Sequence, residues 1–326
     1  MFNKYRISFF ATAFMFAIYT KAQTSVFDFL DLPVSSHAAA LGGRNVSIND
    51  PEPTLLHNNP ALLANIPERI LAFNLMSFIS ASRLTGVQFC DLVKDRSTYA
   101  ISIIYTDYGS FNRRLSDNTE AGIFSAKDIA LGGSFSYLFN NYWSGGVTGR
   151  IIYSKYSYYT SVAIGVDMGL NYYNPINLLS FGIVASNLGG QIKAFNFTRE
   201  SLPLNVTAGV SWKLQHSPVR FSITLDNLNY WKSENFYSTN GIELKFGEIL
   251  TRHFILGADI YLSEQLYVAV GYNYRRRAEF SVKDSRGLEG FSIGTGLTLK
   301  KIIFGISFGK YQVSKSSLLF NFAVSI

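Results

Sequence analysis

The stretch VAIGVDMGLNYY, residues 162–173, sets Val162, Ile164, Val166, Met168, Leu170 and Tyr172 on one face of an extended chain and Ala163, Gly165, Asp167, Gly169 and Asn171 on the other. Side chains of a β-strand point alternately to opposite faces, so a period of two reads as a strand. One face is large and apolar, the other small or polar. The same pattern returns after Pro203, where Val206, Ala208, Val210, Trp212 and Leu214 oppose Asn205, Thr207, Gly209, Ser211 and Lys213. It closes the chain as well, with Leu318, Phe320, Phe322, Val324 and Ile326 against Asn321, Ala323 and Ser325.

A soluble sandwich also alternates, with its apolar face inward. Other features favour a membrane barrel. The alternating runs extend over about 10 to 14 residues, the length a tilted strand needs to cross a bilayer, whereas globular strands average about five or six. Only 16% of the 326 residues are charged and 48% are hydrophobic, against about 25% charged in soluble domains. The chain carries 20 tyrosines and 27 phenylalanines, and Tyr153, Tyr156, Tyr158, Tyr159, Tyr272 and Tyr274 fall near strand ends, where aromatic girdles sit.

The N-terminus supplies a route to such a membrane. Residues 1–22 begin with Lys4 and Arg6, continue with an apolar stretch from Ile7 to Tyr19, and end on Ala22, the pattern of a cleavable secretory signal. Lys4, Arg6 and Lys21 leave with it, so the formal charge of +7 falls to 7 − 3 = +4. That is too weak a bias for nucleic acid. A single cysteine, Cys90, excludes an internal disulfide and reads as an apolar filler. With no second helix to hold the chain in the inner membrane, the expected destination is the outer membrane.

Period-two runs are read at residues 68–80, 82–93, 97–107, 127–140, 143–156, 160–173, 177–188, 203–214, 218–229, 239–247, 253–262, 265–275, 289–299, 302–311 and 316–326. Both ends of a bacterial barrel lie on one side, which requires an even number. The run at 239–247 is brief, and its continuation FGEILTRH spaces Phe246, Ile249 and Leu250 like one face of a short helix. Reading 230–252 as a loop leaves about 14 strands in an all-β, antiparallel outer-membrane barrel over residues 68–326. The long connections (108–126, 189–202, 230–252, 276–288) then fall on one side and the short ones on the other, as in outer-membrane barrels.

Residues 23–67 lack the period and carry turn elements at Gly42–Gly43 and Asp50–Pro53. Phe27, Phe29, Leu30, Leu32, Leu55, Leu56, Leu62 and Leu63 make the segment too apolar for a free tail. It is expected to fold into the lumen as a plug, with Asn58, Asn59, Pro60 and Ala61 as its turn motif. Charges on the lumen-facing side (Asp167, Lys213, Arg220, Asp226 and Asp259) are then expected to partner the plug, since buried polar groups need hydrogen bonds.

The pieces FDFLDLPVSSHAAALGG (27–43), HNNPALL (57–63), FSAKDIALGGSFSY (124–137), YSKYSYYTSVAIGVDMGLNYY (153–173) and GYNYRRR (271–277) resemble the PorQ family of the type IX secretion system, itself similar to the long-chain fatty-acid transporter barrels. The resemblance implies a fourteen-stranded barrel with an N-terminal plug that anchors a surface partner of the sortase-dependent cargo attachment complex. A plug-gated transporter of hydrophobic small molecules is the alternative.

No catalytic or cofactor motif is found. GISFG at 305–309 matches the nucleophile-elbow pattern, but Phe304, Ile306 and Phe308 continue one strand face through Ser307. His37, His57, His216 and His253 lack metal spacing. The protein is expected to be non-enzymatic, without metal or cofactor. Its expected partners are outer-membrane lipid, with Arg275, Arg276 and Arg277 facing lipopolysaccharide phosphates or solvent, and a surface protein. For that protein the candidate contacts are Tyr230, Trp231, Phe236 and Tyr237, then Phe195, Phe197 and Arg199.

Overall fold

The computed structural model describes residues 27–78, 82–94, 96–114, 119–236, 243–280, 288–311 and 316–326. The expected signal at 1–22 and Tyr237 lie outside them. Fourteen antiparallel strands close into a barrel, each paired with its sequence neighbours, and β1 pairs with β14. They are β1 (Ile70–Ser77), β2 (Arg83–Lys94), β3 (Ser97–Arg114), β4 (Glu120–Leu138), β5 (Trp143–Tyr156), β6 (Tyr159–Asn174) and β7 (Leu179–Lys193), then β8 (Asn205–Lys213), β9 (Val219–Leu225), β10 (Phe254–Tyr261), β11 (Leu266–Asn273), β12 (Phe291–Thr298), β13 (Ile302–Gly309) and β14 (Ser317–Ser325). No helix among the described residues is long and apolar enough to cross a membrane.

Facing follows the alternation. On β6, Ala163, Gly165, Asp167, Gly169 and Asn171 are buried, while Ile164, Met168 and Leu170 are exposed on the outside. The run 239–247 contributes no strand among its described residues, and α2 (Phe246–Arg252) forms where the short helix is expected. Its first turn is tied by Glu248, whose carboxylate accepts from the Lys245 N–H at 2.8 Å.

The strand ends depart from expectation at several places. Residues 108–126 are not a plain loop: β3 and β4 stay paired out to Arg114 and Glu120, beyond the last β2 partner of β3 at Asp107 and the last β5 partner of β4 at Ala126. The register slips between Asp107 and Ser110, where Gly109 has φ +85°, and that slip hides the strand from a strict period of two. In β9 the ladder stops at Leu225, two residues before Asn227 takes φ +58°. Strand β11 ends at Asn273, where α3 (Tyr274–Phe280) begins.

The walls are uneven. Strands β3 to β7 have 14 to 19 residues, β8 to β14 only 7 to 9.

Candidate functional site

Residues 27–66 run inside the ring of strands. They form α1 (Ser36–Ala40) and short 3-10 turns at Asp28–Asp31, Pro53–His57 and Pro60–Asn65. Ser35 caps α1 by accepting from the Ala38 N–H at 3.2 Å, and Asn59 caps the last turn by accepting from the Ala61 N–H at 2.9 Å. Pro60 follows as the first residue of that turn, where its missing N–H costs nothing.

Wall glycines receive this backbone. A Cβ on Gly146 would collide with the Pro60 carbonyl, one on Gly182 with the Val46 carbonyl, and one on Gly271 with the Leu41–Gly42 peptide. These glycines make grooves in the inner face where the segment approaches to van der Waals distance. Polar wall residues then satisfy its backbone. The Ala61 carbonyl accepts from Ser136 at 3.2 Å and Ser144 at 3.1 Å, and the Ala40 carbonyl from Ser292 at 2.9 Å. Asn321 accepts from the Ser36 N–H at 2.7 Å.

The motif residues divide this work. Asn59 donates from its amide to the carbonyls of Val46 (2.8 Å) and Leu170 (3.2 Å), so it joins two limbs of the segment to β6. Asn58 accepts from the Asn45 N–H at 3.4 Å. Pro60 and Ala61 fill the Gly146 groove.

Three of the five lumen charges meet the segment. Arg220 donates to both oxygens of Asp50 at 2.8 Å and from Nε to Asp259 at 2.7 Å. Asp259 also lies 2.9 Å from His37 Nε2. Asp226 pairs with Arg44 at 3.6 Å and accepts from Thr207 at 2.8 Å. The remaining two have other partners. Asp167 is ion-paired with Arg150 of β5 and accepts from the Asn187 N–H at 2.8 Å, so it organises the wall. Lys213 stands over the Tyr261 ring at 4.3 Å. The sign of these residues and their facing were legible; the partner of each was not.

An apolar cluster lies in the outer half of the lumen. Phe27, Phe29, Val34 and Ala39 cluster with Met76, Phe78, Leu84, Ile104, Ile152, Leu202 and Leu319 of the wall and loops. A cavity beside this cluster, bounded by Phe29, Leu32, Val34, His57, Ile104 and Arg150, measures about 20 Å³, room for a single water. Burial and the nearby Arg150 push His57 down to about 3, so its imidazole is neutral.

Several expected surface contacts point inward instead. Phe195 stacks on Phe27 (6.4 Å) and Tyr156 (5.0 Å), closing over the lumen segment rather than facing outward. Phe236 is 6% exposed, covered edge-on by His253 at 5.5 Å and flanked by Arg252 and Arg275. Tyr230 is half-buried. Trp231 and Phe246, stacked at 6.0 Å, remain 42% and 68% exposed; Phe197 is fully exposed and Arg199 exposed.

Arg276 departs from expectation, because α3 turns the three arginines apart. Arg275 pairs with Glu279 at 2.9 Å and Arg277 with Glu289 at 3.0 Å. Arg276 is buried, donates to the Gly42 carbonyl and lies 4.4 Å from the Tyr311 ring. It is a clasp on the segment, and a run of three identical residues gives no signal of which one turns in. Ser307 sits buried within continuous β13, without an elbow.

No family model and no curated protein matches the chain. Solved structures do match. The Ralstonia pickettii toluene transporter TbuX is 13% identical with a TM-score of 0.57, over 90% of this chain and 98% of that one. The Pseudomonas putida toluene transporter TodX is 16% identical with a TM-score of 0.54, over 93% and 99%. A Pseudomonas aeruginosa FadL homologue is 12% identical with a TM-score of 0.50, over 90% and 97%. The shared feature is the fold: a closed 14-strand outer-membrane barrel of the FadL type.

Proposed function

We propose that the protein is a conduit for hydrophobic small molecules across the outer membrane, closed at rest by its own N-terminal segment, which acts as a plug. The observation that carries this reading is the construction of the lumen. The segment is docked by side-chain hydrogen bonds, glycine grooves and ion pairs and is not itself a strand of the sheet, so it can move without breaking the wall's ladders. The barrels of similar fold are transporters of toluene and related molecules, and an apolar lining in the outer lumen suits such cargo. The test is uptake of toluene and of a long-chain fatty acid by porin-depleted cells bearing the barrel. Uptake no faster than in cells lacking it, for either molecule, rejects the reading.

A second reading is a non-enzymatic anchor for a surface protein of a type IX cargo attachment complex, as the PorQ-like pieces imply. Fully exposed Phe197 and the exposed Trp231–Phe246 stack support it, since aromatic residues are enriched at interface hot spots. Replacing residues 233–250 by a Gly/Ser linker then releases that protein from the outer membrane. Full retention with an intact barrel excludes this loop.

A further inference from the structure

Five ionisable side chains meet at one end of the lumen. Arg220 lies at the start of β9 and Asp259 near the end of β10, beside the short turns, on the same side as the barrel termini. From the segment come His37, on α1, and Asp50 and Glu52, on the turn that follows. His37 Nδ1 lies 3.4 Å from Asp50 and 3.6 Å from Glu52, while its Nε2 lies 2.9 Å from Asp259. Glu52 is held in turn by Ser35 at 2.9 Å and Thr54 at 2.6 Å. Tyr267 of β11 stacks on the imidazole at 4.1 Å. His37 and Asp259 are 1% or less exposed, whereas the Asp50 side chain is 29% exposed and Pro51 beside it is open to solvent.

This is an unusual way to fasten a segment. Toward the outer mouth the segment is held by apolar packing, by Arg44 between Asp31 and Asp226, and by Arg276 on the Gly42 carbonyl, with one arginine at each place. A buried group of two cations and three carboxylates is different: removing one member strands the others without solvent. Its fastening strength is therefore set by protonation and by charge.

We propose that His37, Asp50, Glu52, Arg220 and Asp259 form an electrostatic latch, and that losing one charge in it frees the Asp50–Glu52 turn of the segment from the wall while the barrel stays closed as a sheet. What such release is for rests on the conduit reading; the release itself does not.

The pH behaviour follows from the groups facing His37: Asp259 and Tyr261 of β10, Arg220 of β9, Tyr267 of β11, Asp50 and Glu52 of the segment, and, further off, Tyr173 of β6 and Lys213 of β8. Burial opposes the imidazolium, but Asp259, then Glu52 and Asp50, outweigh it and hold His37 up at about 9. In a freed segment it returns to the ordinary value of about 6.5. Its contribution to docking is complete below about 6.5 and is lost as pH rises through about 9. Asp50 runs the other way: burial raises it, but Arg220 outweighs burial and holds it below the usual carboxylate range. Its contribution is present above about 3.9 and disappears in stronger acid.

The experiment is a distance measurement by pulsed electron spin resonance on the full barrel in lipid vesicles. Spin labels are placed at Pro51→Cys and His216→Cys, both exposed positions, in a Cys90→Ala background. At pH 7 one narrow distance is expected. At pH 10, and at pH 7 in Arg220→Gln or Asp259→Asn, a second, longer population should appear, with the undocked-to-docked ratio raised on the order of a hundredfold by the stranded charges. Asp91→Asn, which breaks an exposed ion pair on the wall, should leave the single distance. Heat-modifiable gel mobility identifies variants whose barrel has failed, and for those the pH 10 measurement on the otherwise unaltered labelled chain decides. One unchanged distance under every condition, with the barrel intact, overturns the latch. A second population without any hydrocarbon uptake keeps the latch and removes the conduit.

Discussion

Val166 and Asp167 are neighbours in the chain and face opposite media. Arginine at Val166, on the lipid side, should cost about 2 to 4 kcal/mol if it stands near the midplane, read as lost heat-modifiable folding. From sequence alone a neutral change at Asp167 looks milder, because a lumen residue can lose a charge to water. The structure changes that expectation. Asp167→Asn leaves Arg150 buried without its partner, so it should be comparably damaging, about 3 to 5 kcal/mol, and Arg150→Met combined with it should recover much of the loss. A double-mutant cycle on unfolding in urea checks this. Facing was legible at both positions because it depends only on parity. The Arg150 pairing was not, since it depends on which β5 residue lies opposite, and a register is invisible in a single strand.

Among the elements, the segment motif and the β3–β4 ribbon separate what docks from what merely extends. Asn59→Ala removes a cap and two amide hydrogen bonds, a loss of about 0.5 to 2 kcal/mol for the cap alone. Gly146→Val should act more strongly, since its side chain would enter the space of the Pro60 carbonyl. Both should speed protease cleavage within residues 27–66 while the strands stay paired; unchanged protection in Gly146→Val would show that the groove is not needed. Shortening the ribbon by removing residues 109–123 should leave barrel folding unaltered, because neither β2 nor β5 pairs with that stretch. The helix at Phe246 was readable from its apolar spacing. The ribbon was not, because two glycines at positive φ and the slipped register broke its alternation.

Taken together, the barrel is a wall around a segment held at both ends by apolar packing and by ion pairs, Arg44 with Asp31 and Asp226 toward the outer mouth and Arg220 with Asp50 and Asp259 toward the turns. Strand number and closure were legible because lipid imposes the same period on the strands; the sorting of connections was legible only in part, since the short β1–β2 and β5–β6 turns share a side with the long ones. The interior was much less so: His37 and Asp259 are 222 residues apart in the chain, and nothing local in either neighbourhood announces the other. At about 3.3 Å per residue and a tilt near 45°, strands of 7 to 9 residues rise roughly 16 to 21 Å, whereas the apolar band of such barrels is about 25 Å tall. The arc from β8 to β14 is too low for the hydrocarbon it borders, and the arc from β3 to β7 is not. Lipids along the low arc must compress, or the cylinder must lean toward it. Folding should accordingly be more complete in thin bilayers than in thick ones.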